Sequence, residues 1–164
     1  MSTAKQSALA SLRFARTIND KLVSDFPPAK ATFQPAPTDN HLVWNLGHLA
    51  ISNAWIRGLI DGKKADLPES YNDLFGGKSK PTSDPKAYPS FAEVKKHNDV
   101  QFKELVAAIE KLPDADINSP CTSDTGGFAK TKLEAIERAA WHEGWHGGQI
   151  SSLRRALGLP PAMG

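Results

Sequence analysis

A chain of 164 residues with 40% hydrophobic content is long enough to bury a proper core, which sets the expectation of one domain over residues 1–164. The formal net charge of +2, with Lys and Arg mixed among Asp and Glu, provides no basic stripe to follow a phosphate backbone and argues against nucleic-acid binding. One cysteine, Cys121, cannot close an internal disulfide, and no apolar run reaches the length of a membrane span, so the expectation is a soluble protein of a reducing cytoplasm.

Four long helical patterns follow in chain order. The first runs from about Thr3 to Ser24 and stops before Pro27-Pro28. Leu12, Ala15, Leu22, Val23 and Phe26 share one face of it, with Leu9 and Ile18 at the margins. The second opens after Pro35 and Pro37, with Thr38, Asp39 or Asn40 as its cap, and continues to about Leu59. Its run from Leu42 to Ile51 is apolar around most of the circumference, as in a largely buried helix.

A long connection from Asp61 to Pro89 has room for one short helical turn near Tyr71 to Phe75. Its Lys63, Lys64, Lys78, Lys80 and Lys86 would favour an anionic substrate, against the plainer reading of a solvated loop. The third helix starts at the capping box Ser90-Phe91-Ala92-Glu93 and ends before Pro113, burying Phe91, Val94, Phe102, Leu105, Ile109 and Leu112. Another capping box, Thr131-Lys132-Leu133-Glu134, opens the fourth, which ends near Gly158. With no hairpin or strand signal, the pattern predicts an all-α, antiparallel four-helix bundle with long connections between helices two and three and between three and four.

The fourth helix contains His142-Glu143-Gly144-Trp145-His146, which spells the H-E-x-x-H signature of zinc proteases. Such proteases take a third ligand downstream, and the tail from Gly147 to Gly164 has no His, Asp, Glu or Cys. A third ligand must therefore come from upstream. At 100° per residue, Ala135, Ala139, His142, His146, Gln149, Leu153 and Leu157 form one stripe. On the second helix His41, Trp44, His48, Ile51, Trp55 and Leu59 align, so three imidazoles, His48, His142 and His146, can converge inside the bundle. Three histidines with a fourth position free is the ligand set of a catalytic zinc-type site, whereas core histidines satisfied by hydrogen bonds are the plainer alternative.

Glu143, beside a ligand, is the candidate catalytic base; it projects about 80° from the histidine stripe, and a solvated or salt-bridged carboxylate is the plainer reading. His41 is expected to cap its helix, meet solvent or approach the site, and His97 to be exposed. Gln149 suits a hydrogen bond to a ligand or to backbone, and Trp44 and Trp55 suit the core or a pocket wall. Gly144, Gly147 and Gly148 weaken a helix interior, so each calls for a close neighbour. Trp141 and Trp145 project away from the histidines, toward a neighbouring helix or a second subunit. Cys121 has no base signature and reads as incidental.

The motif from Trp44 to Ala50, the pair His142-x-x-x-His146, and the trailing Gly148-Gln149-Ile150, Leu153-Arg154 and Leu157-Gly158 resemble the DinB/YfiT-like metalloproteins, over nearly the whole chain. The resemblance implies a four-helix bundle holding a divalent metal, commonly zinc or nickel, on three histidines, here His48, His142 and His146; imidazole also suits iron. Relatives include bacillithiol S-transferases, a mycothiol-dependent isomerase and a domain of ergothioneine synthesis. The implied function is a metal-dependent transferase joining a low-molecular-weight thiol to a small electrophile, in a homodimer. The alternatives are a metal-dependent hydrolase and a non-catalytic metal-binding or stress-response protein.

Overall fold

The computed structural model describes residues 2–163. Five α-helices carry the fold: α1 Thr3–Ser24, α2 Leu42–Asp61, α3 Ser70–Phe75, α4 Phe91–Lys111 and α5 Lys132–Ala156. The four long ones are the predicted bundle, and α3 is the short turn expected within the second connection. No β-strand occurs among the described residues, which hold one isolated bridge, between Pro120 and Thr131. No helix is long and apolar enough to cross a membrane.

Local chemistry explains most helix ends. Ser2, Ser90 and Thr131 each accept a backbone N–H from three residues ahead, at 3.2–3.4 Å. Gly158, with φ of 71°, closes α5: its N–H bonds to Arg155 O and that of Leu159 to Arg154 O. At the start of α2, His41 takes the capping role expected as one of its options, in place of Thr38, Asp39 or Asn40: Nδ1 accepts from Trp44 N–H at 3.0 Å. Asp39 instead accepts from the Ala36 amide, holding the preceding turn.

Two apolar cores lie at opposite ends of the bundle. One joins Ala8, Leu9 and Leu12 of α1 with Ile56, Leu59, Leu105, Ile109 and Ile136. The other joins Leu22, Val23 and Phe26 with Leu42, Leu46, Val94, Ile150 and Leu153. This distribution fixes direction: α1 runs parallel to α5, α2 runs parallel to α4, and the two pairs are antiparallel to each other. A parallel α2–α4 pair requires a crossover, so the long segment between them is a topological necessity.

Between the two cores lies a buried polar belt. Arg16 and Asn19 of α1, Asn53 of α2, Asn98 and Gln101 of α4, and Glu143 and His146 of α5 are all buried there. Periodicity alone did not place this belt, because its members interrupt the apolar stripes at one level of each helix. Arg16 ties α1 to α4 through Asp99 and lies 4.9 Å above the Phe102 ring.

Candidate metal centre

The three histidines meet in this belt where α2 faces α5. One ring nitrogen from each of His48, His142 and His146 lies within 4.8 Å of the others. His146 is buried, while His48 and His142 are half-buried. The buried face of α5 is rotated from the predicted stripe toward Glu143, Gly147, Ile150 and Arg154, because α5 packs closely on α1. A Cβ on Gly147 would run into Asn19 Oδ1, so that glycine permits the approach. Gly144 and Gly148 have no such neighbour, and the expected close contact is absent at both.

Neighbours set the orientation of two rings. His48 Nδ1 lies 2.7 Å from the Phe75 carbonyl, which can only accept, so Nδ1 carries the proton and Nε2 keeps its lone pair. Phe75 reaches that position because its ring sits on Gly47, where any Cβ would collide with it. The Trp44 indole stacks on His48 at 4.7 Å with an interplanar angle of 7°, and is tethered by Nε1–H to Ser79 Oγ at 2.7 Å.

Asn45 performs the same task for His146. Its Nδ2 donates to the carbonyls of Asn40 and His41 at 3.1 and 3.0 Å, which directs Oδ1 to His146 Nδ1 at 2.7 Å. His146 Nε2 therefore presents a lone pair, 3.1 Å from His142 Nε2. Two nitrogens at about 2.0–2.1 Å from a tetrahedral zinc stand roughly 3.3 Å apart, so this pair has the spacing of two ligands on one cation. The residues fit a divalent metal.

Electrostatics agree with that fit. Burial, then the neighbouring His48, lowers the His142 pKa from 6.5 to about 4. Burial, then His142 and His48, lowers His146 to about 2. His48 is also lowered by burial, opposed in part by its bond to Phe75. All three rings are neutral near pH 7, the form in which imidazole binds a metal.

Glu143 points elsewhere. It is 0% exposed, so of the expected solvated or salt-bridged carboxylate the structure keeps the salt-bridged one. Asn53 donates to Oε1 at 2.9 Å, Asn19 donates to Oε2 at 2.6 Å, and Arg16 Nη1 lies 3.9 Å from Oε1. Burial raises its pKa, while Arg16, Asn53 and Asn19 pull it down. Both oxygens are engaged with α1 and α2 in a scaffold network.

The family model of the DinB superfamily matches residues 11–150. The chain belongs to the DinB superfamily. A crystal structure of a conserved protein from Enterococcus faecalis superposes on this DinB fold with a TM-score of 0.74, covering 95% of this chain and 97% of that one at 15% identity. No curated protein matches the sequence.

Other residues of this DinB-superfamily chain take plainer places. His41 is fully buried, edge-on to Tyr88 at 4.7 Å, and takes no part in the cluster. His97 is half-buried against Tyr71 at 5.1 Å. Gln149 accepts from the Asn40 side chain at 3.0 Å, a partner other than backbone. Cys121 is half-buried, and burial raises its pKa, the reverse of an activated nucleophile. Sequence reasoning assigned no role to Asn45 or Phe75. Asn45 was legible in principle, three residues before His48 on the same helix face; the Phe75 contribution is a backbone carbonyl and leaves no trace in the pattern.

Proposed function

We propose that His48, His142 and His146 hold one divalent cation, zinc or nickel, and that the site catalyses transfer of a low-molecular-weight thiol to a small electrophile. A divalent cation there would lower the pKa of a bound thiol and supply it as the nucleophile. The chain's own residues hold three neutral imidazoles through Asn45, the Phe75 carbonyl and the Trp44 stack, and they leave part of the cluster accessible.

That accessibility carries the enzymatic reading. His48 and His142 are partly exposed and the group among the described residues offers three ligands, whereas a purely structural metal would sit among four protein ligands with no open face. Glu143 is assigned no chemical step, because its oxygens already accept from Asn19 and Asn53. The test is cobalt substitution. Adding 2-mercaptoethanol to the cobalt(II) protein should produce a near-ultraviolet sulfur-to-metal charge-transfer band, absent in His142→Ala. A cobalt spectrum unmoved by saturating thiol would refute thiol activation and leave a structural or hydrolytic metal.

We further read the protein as a cytoplasmic homodimer that acts as one DinB-like unit. Supporting the dimer, Phe14, Trp141 and Trp145 are 68%, 58% and 58% exposed, a concentration of large apolar side chains on the α1 and α5 surface. Sedimentation should give a dimer that Trp141→Ala with Trp145→Ala converts to monomer; a monomeric wild type would refute it.

A further inference from the structure

Beside the histidines, α2 borders a second recess. A cavity of about 400 Å3 opens between α2 and the segment leading into α3, with Ile51, Trp55, Leu67 and Pro68 as apolar wall and Lys63 and Lys64 also lining it. Ile51 and Trp55 follow His48 by three and seven residues and continue its stripe, so the recess begins roughly 5 Å along the helix axis from that ring.

The lysines are exposed, as expected of a solvated loop, and the backbone that carries them is anchored. Gly62, with φ of 74°, ends α2 and turns the chain back on it. Gly58 admits the Lys63 carbonyl to within 3.1 Å of where a Cβ would stand. Arg57, buried and paired with Glu104, donates to the Lys64 carbonyl, and Gln101 of α4 donates to the Asp66 carbonyl at 3.2 Å. Lys63 and Lys64 are thereby held where they line the recess beside its apolar wall, with Glu69 as the acidic residue that also lines it.

Trp55 links the recess to the metal centre. Sequence periodicity placed its indole in the core or in a pocket wall, yet it is 42% exposed and meets Phe128 edge-on at 5.0 Å. Arg138 lies 5.8 Å from the Phe128 ring and precedes His142 by one helical turn. Its nearest carboxylate, Glu134, is 3.6 Å away. The recess itself is lined by two cations, Lys63 and Lys64, and one carboxylate, Glu69, with Asp61 accepting the Lys63 amide at 2.9 Å close by.

We propose that this recess binds the carboxylate-bearing part of the substrate, with its apolar or aromatic body against Trp55 and its charge at Lys63 and Lys64. Calling the ligand a substrate rests on the proposed thiol chemistry; the binding itself requires no metal.

The test uses the full-length protein and two probes of matched shape, 2-naphthoate and its neutral amide. Binding is followed by the indole N–H resonance of Trp55, assigned with Trp55→Phe. The carboxylate should shift that resonance and bind about fivefold more tightly than the amide, a preference lost in Lys63→Ala with Lys64→Ala. His142→Ala should bind 2-naphthoate as the wild type does, which separates this site from the metal assignment. A stationary Trp55 signal, equal affinity for acid and amide, or an unchanged preference in the double-lysine variant would overturn the proposal.

Discussion

The two flanks of α5 bury polar groups in opposite ways. Toward α1, Glu143 is an acceptor surrounded by donors from Asn19, Asn53 and Arg16. Toward α2, Asn45 and the Phe75 carbonyl take up the outer nitrogens of His146 and His48, and the inner nitrogens face one another. A buried polar group supplied with complementary partners is structural; neutral imidazole nitrogens that converge at ligand spacing suit a cation. The same helix therefore carries a scaffold on one side and a candidate metal site on the other.

Truncation on the scaffold side should give the largest effect. Glu143→Ala leaves the Asn19 and Asn53 amides buried without their acceptor, and chemical denaturation should show a loss of about 2–5 kcal/mol. Metal content per folded chain should stay unchanged, and a selective loss of metal would break the division between the flanks.

His41 supplies a third case, a buried histidine whose Nδ1 serves as a helix cap. Burial lowers its pKa from 6.5 to about 4, so the unfolded chain binds more protons between those values. Its contribution is therefore complete above pH 6.5 and is lost as pH falls toward 4, on the order of 3 kcal/mol in all. Denaturation of metal-free protein across that window should show the decline. His41→Asn, which retains a capping side chain, should flatten the part due to this residue.

On the histidine side, Asn45→Ala removes the acceptor that orients His146 and should weaken metal binding about 10–100-fold in a competition titration. An unchanged affinity would mean that the imidazole needs no such support. The smallest contrast lies among the glycines of α5. Gly144→Ala meets open space and should raise stability by up to about 1 kcal/mol, whereas Gly147→Ala should lower it by about 1–3 kcal/mol by pressing on Asn19. Thermal unfolding of the two variants would compare them directly.

The bundle was legible because its long helices announce themselves by periodicity and by caps such as Ser90 and Thr131. The convergence of His48, His142 and His146 was legible for the same reason, since i+4 spacing and a shared stripe are properties of one helix at a time. Pairwise facts between helices were not. The burial of Glu143 was not legible because its partners Asn19 and Asn53 lie 124 and 90 residues away. The rotation of α5 toward α1 followed from the absence of a Cβ on Gly147, which a hydrophobic projection scores merely as a weak helix former.

Elemental mass spectrometry on untagged protein, with His48→Ala, His142→Ala and Glu143→Gln beside the wild type, tests the central claim most directly. The account predicts about one divalent ion per chain in wild type and Glu143→Gln, and loss of that ion in both histidine variants. A wild type that takes up no metal on reconstitution, or a His142→Ala protein that retains it, would contradict the assignment.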